Sequence, residues 1–363
     1  MTRFLVYTSP ARGHLYPLVP TLSALVRRGH EVHLRTLARE VARMTALGFA
    51  AKPIAAEIER REMDDWRASS PPAALRRATR TFIDRAPHEV ADLRRAVDEV
   101  RPDALYVDCN AWGALAVAEA SSLRWAMFAP YFLPFRGAGI PPWGMGLPPS
   151  QGRFGRLRDA ILWRVLQKLH DAALPDLNRV RVAAGASPLD HVADYVLVPP
   201  RLVYHTAEPF EYPRPWPSHV RLVGPGLWEP DATEPPTQQT EGARPLVLVT
   251  CSTEFQDDGG IIAGTLAALA NEPVDVVATT GALDPAHFSA PPNARVERFL
   301  PHGPLLARAA CVVCHGGMGI TQKALAAGVP VCVVPFGRDQ LEVARHVEVA
   351  GAGVRRALSS QFS

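Results

Sequence analysis

Apolar and polar positions along the chain fall into short blocks whose spacing alternates between strand and helix periods. Residues 3–8 form an apolar run that stops at Ser9-Pro10, which predicts a strand followed by a loop over 9–16. In 17–28, Leu18, Leu22, Leu25 and Val26 share one helical face, Pro17 suits the first turn and Gly29 ends the helix. A second strand, 31–36, completes a right-handed βαβ unit of a parallel sheet. The unit has no G-x-G-x-x-G fingerprint, which argues against a nicotinamide or flavin protein.

The alternation continues with a strand at 103–109, a helix at 112–120 and a strand at 125–129. Residues 130–149 are crowded with Pro, Gly and aromatics and read as loop, whereas 153–184 read as largely helical. Two short strands are predicted at 195–198 and 202–206, and Val223-Gly224-Pro225 ends the first half. The Pro-, Gln-, Thr- and Glu-rich stretch 229–245 reads as a linker. A new sheet follows: strand 246–250, loop 251–259, helix 261–269, strand 274–279, strand 310–314, a helix ending near Gly328, and strand 330–335. The expected organisation is therefore an N-terminal Rossmann-like domain over 1–228 and a second α/β domain over 246–363. Both carry parallel sheets, and a ligand cleft is expected between them.

Composition narrows the functional class. With 363 residues, 47% apolar and 21% charged, the chain supports two ordinary cores. A net charge of +3 leaves no nucleic-acid-binding balance. No apolar run approaches the roughly 18 residues of a membrane span, and no cleavage-type region follows the first strand, so a cytoplasmic protein without stable membrane insertion is expected. Cys109, Cys251, Cys311, Cys314 and Cys332 sit mostly in apolar strand runs, as reduced cysteines do. Cys311-Val312-Val313-Cys314-His315 matches the c-type haem attachment pattern, but the pair lies along a predicted buried strand and that reading is rejected. The chain has no D-x-D, which argues against a carboxylate-held metal–diphosphate site, and no metal or other cofactor is expected.

The strongest chemical signal is Cys314-His315-Gly316-Gly317-Met318-Gly319-Ile320-Thr321, followed by Phe336-Gly337-Arg338-Asp339-Gln340. An apolar strand runs into a glycine-rich loop that opens a helix. Glycines let a ligand approach the backbone, and a helix start offers unpaired N–H groups to an anion. The loop contains no Lys or Arg, so backbone dipoles, His315 and the Thr321 hydroxyl are expected to meet the charge. Thr250, Ser252 and Thr253 end the first strand of that half and face the same anion or cap the next helix. His14 follows the first strand, and Asp108 ends a later one; both fall on the carboxyl rim of a parallel sheet. A carboxylate behind a histidine makes a general base, although a loop histidine and a helix-capping aspartate account for the same letters. Tyr131, Phe132, Phe135 and Trp143 line an apolar acceptor pocket or simply pack the long loop, and Phe299 stacks a base or belongs to the core.

Taken together, these residues resemble the GT-B nucleotide-sugar glycosyltransferases of family 1. The resemblance spans Gly13 to Pro17, the strand ending at Asp108, Val223-Gly224-Pro225 and the donor signature from Phe299 to Gln340. It implies metal-independent, inverting transfer from a UDP- or TDP-sugar to a hydroxyl of a hydrophobic natural product. His14 would be the base and Asp108 its partner; Thr253, His315, Gly317, Gly319 and Thr321 would hold the diphosphate. Phe299 would stack the base, and Asp339 and Gln340 would touch sugar hydroxyls. Within the same resemblance, Lys323 replaces a ribose-contacting carboxylate and Ser252 a small Gly. The stop at Ser363 implies an incomplete donor domain. A non-catalytic auxiliary protein and a GT-B sugar-nucleotide epimerase are the alternatives, and the oligomeric state is open.

Overall fold

The computed structural model describes residues 1–230 and 244–357. The expected linker, 229–245, thus lies outside the described residues over 231–243. The chain separates into two compact units. The first comprises Met1–Trp143, Pro149–Glu208 and Tyr212–Gly226; the second comprises Gly144–Pro148, Pro209–Glu211 and Leu227–Ser363.

The first unit is built on seven parallel strands: Arg3–Tyr7 (β1), Glu31–Thr36 (β2), Ala50–Pro53 (β3), Ala104–Asp108 (β4), Arg124–Ala129 (β5), Leu202–Tyr204 (β6) and Val220–Leu222 (β7). Their order is β3-β2-β1-β4-β5-β6-β7. The central strands are buried on both faces, which is why β1 and β4 read as near-continuous apolar runs. Helix Pro71–Val100 packs across helix Trp112–Ala120, whose Gly113 permits the approach: a Cβ there would lie 1.9 Å from the Ala86 carbonyl oxygen.

The second unit repeats the plan with six parallel strands: Leu246–Thr250 (β8), Asp275–Thr279 (β9), Ala294–Glu297 (β10), Ala309–Cys314 (β11), Val331–Val333 (β12) and Gly353–Arg355 (β13). They run in the order β10-β9-β8-β11-β12-β13. Val249, Ile261, Ile262, Val276 and Ala278 form the core between this sheet and helix Gly260–Leu269. Both sheets therefore reverse strand order once, between β1 and β4 and between β8 and β11. Ligands of open α/β sheets bind at such switch points.

Two expectations about elements need correcting. The strand predicted at 195–198 is instead the end of a 3-10 helix, Val192–Val196, held by a capping box between His191 and Asp194. The loop predicted at 9–16 contains a helical turn, Arg12–Leu15, which carries His14. No helix among the described residues is long and apolar enough to cross a membrane.

Candidate functional site

At the first switch point the chain leaves β1 through Ser9 and turns back at Arg12–Leu15, which aims His14 at the end of β4. The His14 Nδ1 atom lies 2.9 Å and 3.0 Å from the two carboxylate oxygens of Asp108. Asp108 has no solvent exposure. It also accepts from the Ser9 amide at 2.8 Å, the Ser9 hydroxyl at 2.7 Å and the Asn110 amide at 2.9 Å. Burial pushes its pKa up, but the adjacent His14 and these hydrogen bonds outweigh burial, and the carboxyl is held below its ordinary value. Asp108 is therefore an anion that orients the imidazole.

The far side of the ring is equally organised. Tyr131 donates to Asn110 Oδ1 at 2.7 Å, which turns the Asn110 amide nitrogen toward His14 Nε2, 3.3 Å away. With its Nδ1 proton on Asp108, His14 presents a lone pair at Nε2. The Tyr131 ring lies 5.5 Å from the imidazole, centre to centre. His14, Asp108 and Cys109 bring potential metal ligands within 4.8 Å of one another. The set suits a metal poorly: Asp108 is already saturated with donors, and burial, reinforced by the Asp108 charge, drives the Cys109 thiol well above its ordinary pKa.

At the second switch point β11 ends at Cys314, and the glycine loop leads into helix Met318–Ala326. Gly316 has a φ of 94°, in the region that favours glycine, and Gly317 is the N-cap. A Cβ on Gly317 would come 2.4 Å from His315 Nε2, so glycine is needed for the imidazole to lie over the helix start. Gly319 has open space where a side chain would be. His315 is 7% exposed, and its Nδ1 has no hydrogen-bond partner. The nearest acid, Asp258, stands 3.8 Å away and accepts from the Ser252 amide at 2.7 Å. Burial lowers the His315 pKa, and the positive charge of Arg338 adds to that effect. A buried imidazole thus lies over a helix start that has no side-chain cap, an arrangement suited to anions.

Residues 263–361 match the model of the erythromycin biosynthesis protein CIII-like C-terminal domain. Over 99% of its length the chain is 34% identical to 4'-demethylrebeccamycin synthase of Lentzea aerocolonigenes, 89% of which is covered. The chain belongs to the natural-product glycosyltransferases. Solved structures agree on the GT-B fold. The glycosyltransferase of kitacinnamycin superposes with a TM-score of 0.77 at 23% identity, with 99% of this chain and 87% of that one covered. A Streptomyces sp. SF2575 glycosyltransferase complexed with thymidine diphosphate gives 0.68 at 18% identity, covering 98% and 88%.

In this glycosyltransferase not every residue singled out from sequence reaches a site. Of the four aromatics assigned to an acceptor pocket, Tyr131 stands beside His14. Phe132 and Phe135 are 2% and 5% exposed and belong to the core, and Trp143 donates to the Phe132 carbonyl at 2.6 Å. In the second unit Phe299 is 47% exposed, which removes it from the core and leaves its ring available. Thr253 is exposed next to buried Ser252. Thr321 is fully buried, with its hydroxyl 3.9 Å from Cys314 Sγ. Asp339 is the N-cap of helix Gln340–Val349. Gln340 is committed to the protein: its oxygen accepts from the Phe336 and Gly337 amides at 2.8 Å and 3.1 Å, and its nitrogen donates to Gln256 at 2.7 Å. Lys323 pairs with Glu229 at 2.9 Å, and Glu229 also caps the His302 and Gly303 amides.

Sequence reasoning missed Asn110, Asp258, Gln256 and Glu229. Each acts through a contact distant in sequence or through a turn whose geometry no local motif announces. Asn110 alone carried a signal, two residues past a strand-terminal aspartate at the sheet rim.

Proposed function

We propose that this glycosyltransferase moves a sugar from a UDP- or TDP-sugar to a hydroxyl of a hydrophobic natural product, with inversion and without a metal. The observation that carries the reading is the His14–Asp108 pair, a buried anion fixing the Nδ1 proton of a partly exposed imidazole. The acceptor hydroxyl displaces the Asn110 amide from Nε2 and gives its proton to His14 as its oxygen attacks the anomeric carbon. The C–O bond to the diphosphate breaks on the opposite face. Asp108 stabilises the imidazolium that forms.

The departing diphosphate is received at the start of helix Met318–Ala326, where the amides after His315 and the helix dipole meet the charge. Gly317 and Gly319 keep this approach open. His315 enters neutral because it is buried, and a bound dianion favours its protonation. Thr253 lies on the phosphate side, Asp339 meets sugar hydroxyls, and the exposed Phe299 ring stacks the base. Thr321 and Gln340 act by holding the loops that carry these groups. A relative complexed with thymidine diphosphate supports a pyrimidine nucleotide donor, and a relative named for rebeccamycin supports a natural-product acceptor. Tyr131 borders the acceptor hydroxyl. The complete His14–Asp108 pair argues against the non-catalytic auxiliary reading, and a cytoplasmic location accords with the substrates.

The test is incubation of the purified chain with UDP- and TDP-sugars and aromatic or polyketide aglycones, following nucleoside diphosphate and product together. Acceptor-dependent release in the presence of a chelator is expected. Release that requires an added divalent cation contradicts the metal-independent part, and a product of retained anomeric configuration contradicts inversion.

A further inference from the structure

Helix Gly152–Asp171 turns an apolar stripe outward, in addition to the face it buries. Leu166 and Asp159 point into the first unit, whereas Phe154, Leu157, Ile161 and Val165 are 90%, 59%, 52% and 48% exposed. Their spacing of three and four residues sets them in one line. Isolated exposed apolar residues need no explanation, but a row of four along one helix marks a docking surface.

The charges around the stripe decide what it docks on. Arg153, Arg164 and Lys168 flank it, are exposed and make no ion pair among the described residues. Asp159 is buried and bonded to Arg158, and Asp171 is taken up by His191. The face is therefore apolar along its crest and cationic beside it. A second copy of the chain paired through this helix would set cations against cations, so self-association is disfavoured. A single convex helix also offers no groove for a partner's side chains. An apolar crest with arginines and lysine beside it is the composition of a helix lying in the headgroup layer of an anionic membrane.

We propose that helix Gly152–Asp171 docks the enzyme peripherally on an anionic lipid surface. The inward face of the same helix holds the loop that follows Tyr131: Trp163 donates to the Ile140 carbonyl at 3.2 Å, Arg136 bonds Gln167, and His170 stacks on Trp143. Docking thus brings the acceptor side of the first unit to the bilayer, where a hydrophobic acceptor is concentrated. That functional consequence rests on the proposed transfer reaction; the docking itself does not.

The experiment is flotation of the full chain with phosphatidylcholine vesicles and with phosphatidylcholine–phosphatidylglycerol vesicles, at low and high salt. Binding to the anionic vesicles, weakened by salt and at least about tenfold weaker on phosphatidylcholine alone, is expected. Phe154→Glu with Ile161→Glu should abolish binding with an unchanged thermal midpoint. Each of Arg153→Gln, Arg164→Gln and Lys168→Gln should weaken it about fivefold. His14→Ala should bind as the wild type does, which keeps failure of docking separate from failure of the catalytic reading. A folded chain that ignores anionic vesicles overturns the proposal, whether it forms dimers through this helix or holds an acidic protein there. Undiminished binding by the double glutamate variant overturns it as well.

Discussion

Asp108 and Glu89 show how differently two buried carboxyls are treated a short distance apart. Asp108 receives a full set of donors and stays ionised. Glu89, equally buried, accepts from the Gly113 amide at 2.8 Å, and its other oxygen has no partner. Burial, together with the Asp108 charge, raises its pKa to about 8 against the opposing pull of Gly113 and Arg85. Between 4.5, its ordinary value, and about 8, native Glu89 holds a proton that the unfolded chain releases. Stability therefore falls as pH rises through that window. Glu89→Gln, which mimics the protonated acid, should gain on the wild type by on the order of 1 kcal/mol per pH unit between pH 6 and pH 8. Urea unfolding of both proteins across that range checks this, and parallel curves contradict it. A second residue-scale outcome concerns Gly317. Its Cβ position collides with His315, so Gly317→Ala should weaken thymidine diphosphate binding about tenfold or more in calorimetry, with the fold intact. Equal affinity would remove His315 from the anion site. At this scale His14, Asp108 and His315 were legible because strand ends and glycines mark them. Asn110, Glu89 and Asp258 were not, because their partners are set by packing and turns that no local pattern reports.

The two parallel sheets were the most readable elements, since β1, β4, β8 and β11 are apolar runs ending at polar rims. Short elements were harder. The apolar letters at 195–198 suit a strand, yet the His191–Asp194 capping box fixes the preceding turn as a 3-10 helix. Edge strand β3, with its exposed residues, gave no periodic signal. Helix crossings were invisible too: nothing in the letters shows that Gly113 touches Ala86. The structure makes this contact decisive, with no room for a methyl group. Gly113→Ala should force the Pro71–Val100 and Trp112–Ala120 helices apart and cost about 1–3 kcal/mol. A denaturation midpoint equal to that of the wild type would show that the crossing yields freely.

At the scale of the whole molecule, one fold plan is used twice, and the proposed reaction draws on one switch point from each unit. The first unit sets an oriented histidine at its switch point, and the second sets a glycine-led helix start at the equivalent place. The family and its two α/β sheets were readable from the glycine loop and the strand ends. The sharing of short segments between units was not: Gly144–Pro148 and Pro209–Glu211 group with the second unit although they are embedded in the sequence of the first. Within that unit Glu342 accepts from the Gly144 amide at 3.2 Å, and His346 bonds the Phe210 carbonyl at 2.6 Å. His346→Ala should therefore lower the thermal midpoint, without changing the His14-dependent step once temperature is kept below it.

The most direct measurement compares wild type and His14→Ala for acceptor-dependent turnover and for thymidine diphosphate affinity in parallel. Turnover should fall by about 10²–10⁴ while affinity is unchanged, because His14 and the helix start after His315 belong to separate units. Turnover equal to the wild type would contradict His14 as the base.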